Sequence, residues 1–255
     1  MGSFEGLLAR WLPEYGCEPG EEVVATLARY LELVAAAQGR VRLVGSIEPE
    51  VLVRRHVGES VALLRLWHGH HLLEPPSRWS GCGRASLPGN GRPLALRASP
   101  SCRVWALTGG RVVDLGSGAG FPGLVLALVR PELETTLVEA THKKAVFLEE
   151  AVAELGLAGR VRVENRFVAR QPPRGERTPI AGAALVTVRA LEGMEEAPRW
   201  LGRWLDPEAE AAFWVTRERA EQWRRQYPAW RWGAFEALPG AHSRGLVLAQ
   251  KPAGV

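Results

Sequence analysis

An α/β fold with a mostly parallel sheet, a terminal antiparallel hairpin and an N-terminal helical cap is predicted by three features of the sequence. Strand-like and helix-like segments alternate between Arg111 and Glu164, a glycine-rich turn joins the first such strand to the first such helix, and two amphipathic segments precede them. With 255 residues and 46% hydrophobic side chains, the chain can bury one substantial core and still carry an appendage.

In chain order, Glu21 to Gln38 places Val24, Leu27, Leu31 and Val34 at helical spacing, and Gly39 follows where a helix C-terminus favours glycine. A second helix is expected from Pro49, suited to a first helical position, through Arg55 and His56 to about Trp67. These segments define a helical cap over residues 1–74. From 75 to 110 the composition shifts: Pro75, Pro76, Pro88, Pro93 and Pro100 alternate with glycine and serine, and the charges are Arg78, Arg84, Arg92, Arg97 and Arg103. No regular element is expected in that insertion. It reads either as a basic arm for RNA phosphates or as an insertion with no assigned task.

Residues 111–255 form the predicted core. Strands are expected over Arg111–Leu115, Thr135–Ala140 and Arg160–Glu164, with helices over Gly120–Val129 and Lys143–Leu155. This β-α-β-α-β order implies parallel strands with crossover helices. Ala184–Val188 and Ala211–Val215 read as further strands, and Arg231–Leu238 with Gly245–Gln250 as the closing hairpin.

Composition excludes several classes. No stretch approaches the roughly 20 apolar residues that span a bilayer, and Met1 to Arg10 lacks a basic segment followed by an apolar run, so a cytoplasmic protein is expected. Cys17, Cys82 and Cys102 are widely spaced, which argues against disulfides and zinc knuckles. The formal charge of +4 suits approach to a polyanion, although the positive residues are nearly all arginine, with lysine only at 143, 144 and 251, as a biased base composition would also give. His68, His70 and His71 lack a spaced carboxylate or cysteine partner and read as a solvated helix end, so no metal is expected.

The turn after the first strand carries the chemistry. In Val112-Val113-Asp114-Leu115-Gly116-Ser117-Gly118-Ala119-Gly120 the glycines permit a sharp turn and close approach of backbone to ligand. A dinucleotide site is the main rival, but its G-x-G-x-x-G register would need glycine where Phe121 stands. Glu139 ends the second strand, where a carboxylate can accept hydrogen bonds from two ribose hydroxyls. Asp114 ends the first, within reach of an ammonium group directly or through water. A loop without basic residues suits a cofactor without phosphates, which points to S-adenosylmethionine.

The run Asp114 to Gly123 (D-L-G-S-G-A-G-F-P-G), followed by Glu139, Lys143-Lys144 and Phe147-Leu148, resembles the RsmG (GidB) family of methyltransferases that act on 16S rRNA. Arg55-His56-Val57-Gly58-Glu59-Ser60 is similar to that family's [RK]-H-x-x-D-S, with Glu59 in place of aspartate. Asn165 to Val168, Val188-Arg189-Ala190 and His242 to Val247 extend the likeness, while Val168, Ala184, Val188 and Arg42 depart from the pattern. The resemblance implies a Rossmann-like class I methyltransferase using S-adenosylmethionine to methylate guanine N7 in 16S rRNA, free or in the small ribosomal subunit, as a monomer. It assigns Gly116 and Phe121, on the loop with Ser117, Gly118 and Gly120, to the methionine and sulfonium region. Glu139, Ala140 and Thr141 fall to the ribose, and Phe167 with Val168 to the adenine edge. Arg166, Arg189 and Arg244 are implied to bind substrate or to close the site around the cofactor. Arg55 and His56 read either as facing RNA phosphate or the pocket, or as helix packing. Two further readings stay open: the same chemistry on another acceptor, and a cofactor-binding, RNA-interacting protein without turnover.

Overall fold

The computed structural model describes residues 3–69, 110–168, 178–191 and 193–252. The insertion up to residue 109, with Cys82 and Cys102, lies outside the described residues, as do His70, His71 and the side chain of His68.

Strand β1 (Arg111–Leu115) lies at the centre of the sheet, where β-branched residues alternate between two buried faces. Val112 points into one hydrophobic cluster, and Val113 with Leu115 into the other. Beside β1 run β2 (Glu134–Glu139) and β3 (Val161–Asn165) on one flank, with β4 (Leu185–Val188) and β5 (Glu210–Thr216) on the other, all parallel. These strands and β8 (Arg244–Gln250) match expectation to within one residue at each end, and with β6 (Arg231–Trp232) at the edge the order β3-β2-β1-β4-β5-β8-β6 gives the α/β class expected. Chain direction across the sheet reverses between β1 and β4, so a crevice opens at their carboxyl ends.

The expected hairpin is more broken than the sequence pattern indicates. Two short strands, β6 (Arg231–Trp232) and β7 (Glu236–Ala237), both pair antiparallel with β8 (Arg244–Gln250). Trp232 faces Ala249 and Glu236 faces Leu246, so four steps along one strand match three along the other. The extra residue makes a bulge that splits the strand.

Two layers of helix cover the sheet. On one side, α5 (Gly123–Val129) is buried throughout and α6 (His142–Glu154) packs beside it. Helix α5 starts three residues later than expected because Gly116, Gly118 and Gly120 hold φ of 72°, 59° and 99°, outside the right-handed helical region. The helical cap lies against the same face. It contains α1 (Phe4–Trp11), which was not anticipated and is capped by the Ser3 hydroxyl accepting from Gly6 N at 3.2 Å, and α2 (Glu21–Ala37). The helix expected from Pro49 begins as α3 (Pro49–Val51), widens into a π-helical stretch over Leu52–Gly58 and continues as α4 (Glu59–Gly69). Leu27, Leu31, Leu52, Val57, Val61 and Leu124 share one continuous core, so the cap is packed onto the sheet layer. The other face of the sheet is covered by α7 (Ala197–Leu201) and α8 (Arg217–Gln226), with Trp200, Trp204, Trp223 and Trp230 around Phe213. Among the described residues no helix is long and apolar enough to cross a membrane.

Candidate active site

The turn after β1 is fixed by its own backbone. Gly116 and Ser117 donate to Val138 O at 2.8 and 3.1 Å, and Gly120 donates to Ser117 O at 2.7 Å. At Gly116 a side chain would be strained by the positive φ and would meet Leu191 Cδ1 at 2.6 Å. From the cap, the Tyr30 hydroxyl donates to Ala119 O at 2.5 Å, so the helical layer grips the loop directly.

Asp114 is only 1% exposed and sits beneath this turn instead of lining the crevice. Its Oδ2 accepts from Gly123 N at 3.1 Å and its Oδ1 from Thr187 Oγ1 at 2.7 Å, tying the loop to the start of α5 and to β4. Burial pushes its carboxyl up to about 6, while the Thr187 and Gly123 hydrogen bonds and the Arg189 charge pull the other way. Gly120 also stays off the crevice wall, packed against Tyr30 and Leu124.

Glu139, at the end of β2, is nearly buried; its Oε2 accepts from Gly118 N at 2.8 Å and its Oε1 from Thr141 N at 2.7 Å. A carboxylate has about four lone-pair sites, so two remain for a ligand's hydroxyls. Asn165, which ends β3, donates to Glu139 O and Ala140 O at 2.9 and 3.2 Å and keeps the strand ends in register.

A cleft of about 1120 Å³ opens at these strand ends. It brings together most of the residues expected from sequence: Gly116, Ser117, Gly118, Phe121, Glu139, Ala140, Thr141, Arg166, Phe167, Val168, Arg189 and Arg244. Phe167 is 74% exposed at the rim, an apolar ring open to an incoming partner. The glycine cradle, the braced carboxylate with spare acceptor sites and this exposed ring fit a nucleoside bearing an amino-acid tail. Among the described residues, no group of three or more His, Cys, Asp or Glu could hold a metal.

The opposite wall comes from the cap and the far strands. Arg55, His56 and Glu59 reach the cleft from the cap, Arg189 follows β4, and Arg244 begins β8. Ala190, next to Arg189, has a φ of 51°, a left-handed conformation that costs a non-glycine residue about 1–3 kcal/mol. The His56 ring lies 4.8 Å from the Phe121 ring, and Phe121 lies 5.3 Å from Tyr30. Burial, reinforced by the charges of Arg189, Arg55 and Arg244, pushes the His56 imidazole down to about 3, so it is neutral at physiological pH. Arg55 and His56 thus both border the cleft. Sequence reasoning missed the ionic role of Glu59 and the Trp214 indole at the cleft wall. A glutamate on an otherwise apolar helix face, four residues after Arg55, was the available signal.

With that geometry in hand, a profile of the rRNA small subunit methyltransferase G (GidB) family matches residues 102–238, more than half of the chain. The chain belongs to this family. A ribosomal RNA small subunit methyltransferase G from Solibacter usitatus is 33% identical over 178 residues, 69% of this chain and 62% of that protein. The family member from Nitrosomonas europaea is 34% identical over 60% of this chain and 51% of its own length. The one from Salinispora tropica is 45% identical over 36% of this chain and 38% of its own length. The chain therefore spans less than two thirds of each of these curated relatives.

Proposed function

We propose that the chain transfers a methyl group from S-adenosylmethionine to N7 of a guanine in 16S rRNA. The observation that carries this reading is a single cleft with two unlike walls. One is a glycine loop braced by Glu139, and the other is a cationic wall of Arg55, Arg189 and Arg244 beside a neutral His56. On this reading the cap (residues 1–74) supplies part of the acceptor wall and the core (residues 111–255) holds the cofactor. Family membership and the identical name of the three relatives support it.

When bound, the cofactor supplies a methyl group activated on a sulfonium. Guanine N7 would form the new bond to the methyl carbon as the sulfur–methyl bond breaks, and the positive charge would pass from sulfur to the purine. N7 has a free lone pair in neutral guanine, so no proton is removed in this step and the residues need only hold the reactants. Such alignment can contribute about 7–11 kcal/mol. Glu139 would hold the ribose hydroxyls, Gly116, Gly118 and Phe121 would border the amino-acid and sulfonium end, and Phe167 with Val168 would cover the adenine. Arg166, Arg189 and Arg244 orient the acceptor: their guanidinium groups suit O6 and phosphate oxygens and leave N7 open. The acceptor is 16S rRNA, free or within the small ribosomal subunit, and the protein works in the cytoplasm as a monomer without a metal.

Mapping N7-methylguanine in 16S rRNA from cells with and without the gene tests the proposal. One methylated guanine is expected to vanish with the gene. An unchanged pattern would reject it.

A further inference from the structure

We propose that Glu59 is a positioning residue: its one carboxylate sets Arg189 and Arg244 as a rigid pair on the acceptor wall. This rests on the methyl-transfer reading above. The Glu59 side chain is 5% exposed, with Oε2 at 2.8 Å from Arg189 Nη2 and Oε1 at 3.1 Å from Arg244 Nη2. Its main-chain oxygen accepts from Trp214 Nε1 on β5 at 3.0 Å, and Arg189 Nη2 also donates to Arg55 O at 2.5 Å. One residue at the head of α4 thereby fastens the ends of β4 and β8, more than a hundred positions away in the chain, to the cap.

The form of the contact separates positioning from plain stability. A carboxylate that gripped one arginine through two parallel bonds would fix that arginine alone. Glu59 instead gives one oxygen to each arginine, which leaves other guanidinium nitrogens uncommitted. Among the described residues Arg189 Nη1 is buried with no hydrogen-bond partner, so this cleft arginine keeps a donor to offer. Arg244 keeps 42% of its side chain exposed at the cleft. One carboxylate against Arg55, Arg189 and Arg244 also leaves the wall net positive beside the neutral His56. Such a wall suits an oxygen-rich, electron-rich partner, as a guanine carbonyl with its flanking phosphate would be.

The test measures methyl transfer to 16S rRNA or small-subunit particles, cofactor affinity by calorimetry, and thermal unfolding. Glu59→Gln is expected to lower kcat roughly 100-fold, the scale of an ångström-sized misplacement, with the cofactor Kd within about twofold of wild type. Glu59→Asp keeps the charge and should recover at least about a tenth of wild-type kcat. Because Glu59 acts through Arg189, adding Arg189→Met to Glu59→Gln should cost less than about threefold more. Transfer by Glu59→Gln within about threefold of wild type, a Glu59→Asp variant no better than Glu59→Gln, or losses that multiply in the double variant would each overturn the proposal. If Glu59→Gln does not fold, the cycle is run on Arg189→Met and Arg244→Met, where shared dependence on one carboxylate predicts a combined loss well below the product and full multiplication refutes it. A wild-type protein that methylates no RNA defeats the underlying reading and the role of Glu59 with it, whereas wild-type transfer with multiplying losses defeats the role alone.

Discussion

The two walls of the cleft are built on different physics. The wall proposed for the cofactor is local: Gly116 and Ser117 donate to Val138 O, and the Glu139 carboxylate accepts from the amides of Gly118 and Thr141, all at the ends of adjacent strands. The wall proposed for the acceptor is assembled from distant segments and held by charge, with Glu59, Arg189 and Arg244 converging from the cap, β4 and β8. The first is pre-organised before any ligand arrives. Among the described residues the second keeps an unpaired donor on Arg189 and a half-exposed Arg244, so it has donors to offer an incoming partner.

The largest effect should come from breaking the cofactor wall. Gly116→Val places a branched side chain at positive φ and into Leu191, and should weaken S-adenosylmethionine binding at least about 100-fold, close to 3 kcal/mol by calorimetry. Retained affinity would show that the turn is more plastic than its hydrogen bonds imply.

Asp114 probes how the loop is anchored. Its folded-state carboxyl, near 6, lies above the ordinary 3.8, so its contribution to stability is complete below about 3.8 and is lost as pH rises through about 6. Relative to Asp114→Asn, the wild type should therefore lose about 2–3 kcal/mol of unfolding free energy between pH 4 and pH 6.5, measured by urea denaturation. A constant difference between the two proteins across that range would contradict the burial argument.

Smaller changes should separate the walls. Arg244→Met is expected to reduce methyl transfer roughly tenfold, about 1.4 kcal/mol, while leaving cofactor affinity unchanged. Phe167→Ala should do the reverse, weakening cofactor binding about three- to tenfold with little change in melting temperature, because its ring is exposed before binding. If either substitution moved both quantities together, the division of labour would fail.

The same contrast explains what was readable in the sequence. β1, α6 and the glycine turn are written in contiguous residues, and hydrophobic period and turn chemistry located them to within a residue. Helix α1 escaped because eight residues offer few turns of periodicity, and the start of α5 was misplaced because three positive-φ glycines and Pro122 delay it. The split of the last hairpin depends on one bulged residue, which period-two alternation does not encode. Arg189, Arg244 and Glu59 were all found through family likeness, but the ion pairs joining them were not, since a contact spanning 130 positions cannot be read from neighbouring residues. Asp114 was expected at the crevice and lies beneath it because its neighbours, Gly123 and Thr187, complete its bonding from below.

The most direct measurement incubates the purified protein with methyl-labelled S-adenosylmethionine and small-subunit RNA or particles, then cleaves the RNA chemically at N7-methylguanine. The two-walled cleft predicts label in the RNA and cleavage at a single guanine. Tight cofactor binding with no label transferred to RNA would contradict it.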